Sequence, residues 1–226
     1  MDKDLLIKYR TLGAISVVVI LSMFFISSFV SLKEKKDLGF RAKMFYSDLS
    51  QAIQYSYNEN GLPGQWGFVE DDKNINLINN YLLNTLRVSI NCLEATSGCA
   101  FSGYYKNLGN KNTKLNIGSL PSVRLHNGTT IAFETKSACL NPDETCLWIY
   151  ADLNGVDAPN VIGKDLLVFE LKNSSSSYFK PLGLSDASVD ILNDKIYGCS
   201  KKATQPLFCS AVLFTKNWQF DKSYPW

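Results

Sequence analysis

From Leu12 to Leu32 the chain runs LGAISVVVILSMFFISSFVSL without a charged residue, and Ser16, Ser22, Ser27, Ser28 and Ser31 are its only polar interruptions. A globular helix of that length would show a polar face, so the run predicts a transmembrane helix over residues 12–32, after a short N-terminus of residues 1–11. The helical pattern then continues: Phe45, Leu49, Ala52, Ile53 and Tyr57 recur at helical spacing, which predicts an amphipathic continuation over 33–60. One helix from about Leu5 to Glu59 would approach 80 Å in length, ended by Asn60-Gly61 and Pro63, with Gly39 a weak point inside it.

Residues 61–226 change character. Leu77, Ile78, Tyr81, Leu82 and Leu86 suit a short helix, and the Gly- and Asn-rich GYYKNLGNKNTKLNIGS reads as a loop closed at its base by Cys92 and Cys99. From Val123 onward short β-rich runs alternate with turn residues: VRLHNGTTIAFE carries the hairpin signal Asn127-Gly128, while CLWIYADL and DLLVFEL flank a loop around Asn154-Gly155. LFCSAVLF reads as a last strand. The fold class expected is α+β, a long N-terminal helix packed on an antiparallel sheet head.

Composition changes this picture little. The net charge of +2 over 226 residues is scattered, so nothing points to nucleic acid or to a polyanionic substrate. The cysteines matter more. Cys92, Cys99, Cys139, Cys146, Cys199 and Cys209 all lie beyond the apolar run and fall into three local pairs; the CxxC spacing of zinc sites is absent and the only histidine, His126, is beside none of them. Bridges 92–99, 139–146 and 199–209 are the simplest connectivity, and they place the head in an oxidising compartment. Positive charges flank both ends of the apolar run, so the cysteines decide the orientation: head periplasmic or extracellular, N-terminus cytoplasmic. A cleaved secretory signal is the rival, against which stand the length of the run and the lack of an A-x-A site.

Candidate chemistry is sparse. Asp152, Asn154, Asp157, Asn160 and Asp165 crowd one loop, an oxygen-rich set suited to a hard cation such as calcium, although the spacing is not that of an EF-hand; the competing reading is a polar hairpin loop held by its own Asx turns. His126 lacks a nucleophile and an orienting acid and reads as a turn residue. Trp148, Trp218, Tyr224 and Trp226 suit core packing better than a ligand groove. Asn127-Gly-Thr and Asn173-Ser-Ser match the glycosylation acceptor pattern but read as turn chemistry. No catalytic constellation is present, so the expectation is a protein that is not an enzyme.

The order of membrane helix, amphipathic continuation, loop and antiparallel sheet resembles that of type IV pilin-like proteins and type II secretion pseudopilins. FYSDLSQAIQYSYNENG followed by Trp66 looks like their post-membrane helix, VRLHNGTTIAFE like their first sheet hairpin, YADLNGVDAPNVIGKDLLVFEL like their central loop, and NWQFDKSYPW like their closing segment. The resemblance implies a structural subunit that packs through its N-terminal helix against other pilin-like subunits, and it favours calcium in the loop. The front departs from the pattern: Gly13 is followed by Ala14, and Val18 stands where the family's glutamate falls. A chain lacking the carboxylate that pairs with a neighbour's amine is expected to be a minor subunit. The alternative is a membrane-anchored extracytoplasmic binding module that does not polymerise.

Overall fold

The register of six antiparallel strands organises the head. They follow one another as a meander, β1 (Val88–Cys92), β2 (Ser122–Leu125), β3 (Thr130–Thr135), β4 (Thr145–Asp152), β5 (Leu166–Lys172) and β6 (Phe179–Pro181), each paired with the next. This computed structural model describes residues 30–70, 72–95, 99–176, 178–184 and 190–226 in full, together with the helical backbone from residue 3. Two units are defined, residues 1–37 and 38–226. Helix α1 is Lys3–Asn60, ending one residue beyond the expected position, and Gly61 follows with φ 75° and its N–H on the Tyr57 carbonyl at 2.9 Å. A left-handed residue that stops a helix in this way is what the Asn-Gly pair encodes.

Within residues 38–226 the strand periodicity of two sends alternate side chains to opposite faces of the sheet. Ile131, Phe133, Leu147, Ile149, Ala151, Leu167, Phe169 and Leu171 form one apolar layer with Leu38, Ala42, Phe45, Leu49 and Ile53 of α1. Phe45 lies against Phe169 at 5.4 Å between ring centroids, and Tyr46 stacks on Phe179 at 5.5 Å. The buried stripe of α1 thus starts at Leu38, earlier than the pattern read from Phe45 onward, and residues 38–60 belong to the head unit. Gly39 has a specific reason to be glycine, because a Cβ there would sit 2.3 Å from the Trp218 carbonyl oxygen. On the other face Ala132, Tyr150 and Val168 meet Tyr105, Ile117, Ile162, Leu182, Leu207 and Phe208. Both faces are therefore covered.

One expectation is corrected and another is refined. LFCSAVLF is not a strand: Cys209–Thr215 forms helix α3, with Cys209 through Val212 and Leu213 all buried. A short run buried on every side shows no polar face, so its periodicity cannot separate helix from strand. The Gly- and Asn-rich stretch is a loop, as expected, but it is pinned into the core as well as tied by its cysteine pair. Cys92–Cys99 spans only seven positions, whereas Tyr105 and Ile117 are fully buried and Tyr105 N–H reaches the Leu115 carbonyl at 3.0 Å. The polar composition there serves turns between core-anchoring residues. The short helix is present as α2 (Ile75–Leu77), running into a π-helical turn Ile78–Leu82 with Ile78 and Leu82 buried.

All three local disulfides are formed, Cys92–Cys99, Cys139–Cys146 and Cys199–Cys209, with Cα separations of 5.8, 4.7 and 4.6 Å. The transmembrane reading of residues 12–32 lies, apart from its last three residues, outside the residues described in full, as do the flanking Lys3, Lys8 and Arg10 and the Gly13–Val18 region. Among the described residues no helix is long and apolar enough to cross a membrane.

Candidate cation site

Strands β4 and β5 pair from Leu147 with Leu171 down to Asp152 with Leu166, and the loop 153–165 joins them. Its two ends are tied, since Leu153 N–H donates to the Asp165 carbonyl at 2.8 Å. Gly155, with φ 72°, turns the chain so closely against the β2–β3 hairpin that a Cβ would stand 2.8 Å from the Gly128 carbonyl. Arg41 of α1 donates to the Leu153 carbonyl at 3.3 Å, fixing the start of the loop against the helix. At its far end Gly163 has φ 83° and lies so close to Cys209 that a Cβ would meet Sγ at 2.6 Å; its carbonyl accepts from the Tyr224 hydroxyl. Helix, hairpin, disulfide and C-terminal segment all bear on this one loop.

Of the expected oxygen set, Asp152 and Asp165 are fully buried and Asn160 is 8% exposed. Asp165 is held by backbone donors, accepting from Asn160 N–H at 2.8 Å and Val161 N–H at 2.6 Å. Asn154 turns its amide nitrogen to the carbonyls of Asp157 and Ala158, at 2.9 and 3.1 Å. Asp157 stands apart: it is exposed, and it offers the loop its carbonyl. The residue that the sequence did not reveal is Tyr105, whose hydroxyl donates to Asp152 Oδ2 at 2.5 Å from 47 positions upstream. The sequence carried no local signal for it, since the adjacent Tyr104 is 61% exposed while Tyr105 is fully buried.

Three buried oxygens of this set have no hydrogen-bond partner: Asp152 Oδ1, Asn154 Oδ1 and Asn160 Oδ1. The two amide oxygens are acceptors only, so no rotation of a hydroxyl can satisfy them. Burial, followed by the neighbouring Asp165 charge, pushes the Asp152 carboxyl from 3.8 up to about 8, against the opposing pull of the Tyr105 hydroxyl and the Asn154 and Gly155 N–H groups. Burial raises Asp165 too, against the opposing pull of the Val161 and Asn160 N–H groups. The Tyr105 phenol is raised, chiefly by burial and then by Asp152, and therefore stays a donor. Buried amide acceptors without donors, beside two carboxyls whose joint ionisation burial and mutual repulsion oppose, form an environment that favours a positive charge.

The donor set fits a hard, oxygen-loving cation. Calcium accepts carboxylate and amide oxygens in a flexible shell of about six to eight ligands, completed by carbonyls and water. Among the described residues no group of three or more His, Cys, Asp or Glu forms a metal cluster, so two carboxylates and neutral oxygens are what this loop offers. That charge count suits weak to moderate affinity.

His126 is exposed in the β2–β3 turn, its N–H on the Arg87 carbonyl at 3.0 Å. Trp218 and Tyr224 are core residues; Trp148 and Trp226 are half-buried, packed by Lys136 and Lys164 at 4.1 and 4.3 Å from their rings. Asn127 accepts from Thr129 N–H and Asn173 donates to the Cys139 and Asn141 carbonyls, the turn roles expected of both.

The architecture defines an α+β protein with a long N-terminal helix, an antiparallel six-stranded meander and three disulfides. The chain belongs to the family of unknown function DUF6613, whose profile matches residues 29–226. No curated protein and no solved structure matches it.

Proposed function

We infer that this chain is a pilin-like structural subunit, a minor one, of a type IV pilus or type II secretion pseudopilus, anchored through residues 12–32 with its head outside the cytoplasm. The observation that carries the reading is the helix Lys3–Asn60, of which residues 38–53 bury one face on an antiparallel sheet while residues 12–32 are the uncharged run. A helix used in two halves in this way, one for the head and one for lipid or neighbouring helices, suits a subunit that assembles by its N-terminal segment. Three disulfides support an oxidising compartment. Calcium in the loop bounded by Asp152 and Asp165 supports the head: Asp152, Asn154, Asn160 and Asp165 hold it, and it supplies charge neutralisation rather than reaction chemistry.

Sheared surface material separates this from the anchored binding module. The minor-subunit reading expects the chain at low stoichiometry beside other pilin-like chains, with the head digested by protease added outside the inner membrane. A filament built chiefly of this chain would overturn the minor role. An intact Met1 with no filament association would favour the anchored module, and a protease-protected head would overturn the orientation in both.

A further inference from the structure

Tyr105 links two parts of the head that the sequence keeps apart. Its backbone is the central rung of a small ladder: Tyr105 N–H donates to Leu115 O at 3.0 Å, and Thr113 N–H and Oγ1 donate back to Tyr105 O at 2.9 and 2.8 Å. The next residue continues the ladder into the loop, with Lys106 N–H on Asn160 O at 3.0 Å and Ile162 N–H on Lys106 O at 2.8 Å. Asn160 is thus held through both backbone groups, its carbonyl by Lys106 and its N–H by Asp165, while its side-chain oxygen stays unpartnered. Asn107 carries the same segment onward to the Cys199–Cys209 loop, donating to Ala203 O at 2.9 Å.

The phenol completes the arrangement. By occupying Asp152 Oδ2, it leaves Asp152 Oδ1 as the unpartnered oxygen, in the same buried loop as Asn154 Oδ1 and Asn160 Oδ1. A partner that orients a metal-ligating carboxylate in this way commonly sets affinity about as strongly as a ligand does. Such partners also transmit binding to whatever segment they belong to.

We propose that Tyr105 is a positioning residue for a divalent cation held by Asp152, Asn154, Asn160 and Asp165, and that cation binding locks the segment 103–117 onto the sheet. This rests on the loop binding a cation, and it adds that a segment outside the loop is the element whose order the cation controls. By linkage the coupling runs both ways, so loosening 103–117 weakens cation binding by the same factor that the cation tightens the segment.

The test uses the full chain in detergent, with calcium chloride titrated by calorimetry and backbone hydrogen exchange followed with calcium or with chelator. In the unmodified protein calcium slows exchange across 103–117 as well as across 153–165. Tyr105→Phe lowers calcium affinity roughly 10- to 100-fold, and at saturating calcium it leaves 153–165 protected while 103–117 exchanges faster. Thr113→Val, which touches neither the loop nor the phenol, lowers affinity several-fold through the segment alone. A merely structural tyrosine would instead lower the melting temperature equally in calcium and in chelator and leave the affinity unchanged.

Equal affinity in Tyr105→Phe and the unmodified protein, or exchange in 103–117 that ignores calcium in the unmodified protein, would overturn the proposal while leaving the cation site standing. No binding heat and no calcium-dependent exchange in the unmodified protein would overturn both. The exchange measurement on unmodified protein needs no variant, so a misfolded Tyr105→Phe does not remove the test.

Discussion

Replacing Asp152 by asparagine should raise stability in chelator and remove most of the stabilisation that calcium gives. Asp152 is fully buried and its carboxyl is pushed from 3.8 to about 8, so in chelator the folded protein holds it protonated at neutral pH while the unfolded chain has it ionised. That difference costs on the order of 4 kcal/mol at pH 7. The amide carries no charge and keeps an oxygen for the Tyr105 hydroxyl. A gain of about 2–4 kcal/mol in chelator follows, which for a chain of this size raises the melting temperature by roughly 5–15 °C.

Calcium should narrow the gap: at a hundredfold excess over its dissociation constant it should stabilise the unmodified protein by about 2.7 kcal/mol, and Asp152→Asn should show less than a third of that shift. The pH dependence has a definite sign, because a raised folded value means that stability is fully present below pH 4 and is lost as pH rises toward 8. In chelator the unmodified protein should therefore lose stability steadily between those limits, and Asp152→Asn should flatten the slope. Differential scanning fluorimetry across pH, with calcium and with chelator, reads all of this. If Asp152→Asn in chelator is no more stable than the unmodified protein, the burial argument fails; if it responds to calcium fully, Asp152 is not a ligand.

Gly39→Ala should destabilise by about 1–3 kcal/mol, although helix propensity alone favours alanine by about 1 kcal/mol; chemical denaturation decides, and a stabilised variant would mean that the Trp218 carbonyl is not packed on that turn. Phe45→Ala empties the contact with Phe169 and should cost about 3–5 kcal/mol, measured by the denaturation midpoint. Asp157→Ala should leave calcium affinity within about twofold, a change below ~0.5 kcal/mol, since that carboxylate is exposed and the loop uses its carbonyl; a larger loss by calorimetry would return Asp157 to the ligand set. Peptide mapping without reductant should return 92–99, 139–146 and 199–209 and no bridge between distant pairs.

What the sequence made legible follows from how local each signal is. The helix end at Asn60, the hairpin at Asn127-Gly128 and the strands CLWIYADL and DLLVFEL are written in adjacent residues, and they stand where expected. The cysteine pairing was legible because each bridge spans only seven to ten positions. Helix α3 was missed because burial on all sides erases the polar face that would betray its period. In the loop, residue type named the oxygens, but burial separated Asp152, Asn160 and Asp165 from Asp157, and burial is decided by what the other elements place over the sheet. Tyr105 lay beyond reach altogether, as no local pattern connects it with Asp152.

The bridges bear on the same loop. A disulfide closing so few residues removes only about 2–3 kcal/mol of chain entropy from the unfolded state, a modest gain for a head whose sheet is already covered on both faces. The placement of Cys199–Cys209 says more than its entropy. Cys209 begins α3 and its sulfur packs against Gly163, two residues before Asp165, while Asn107 reaches the Ala203 carbonyl inside the loop that this bridge closes. The bridge therefore fixes the ground on which both the 153–165 loop and the Tyr105 segment rest. Serine at Cys199 and Cys209 together should weaken calcium binding as well as stability, whereas serine at Cys139 and Cys146, whose bridge borders β4 at the opposite end from Asp152, should lower stability alone. Calorimetric titration of the two double variants distinguishes a scaffold for the loop from a set of independent staples: equal calcium affinity in both would refute the scaffold.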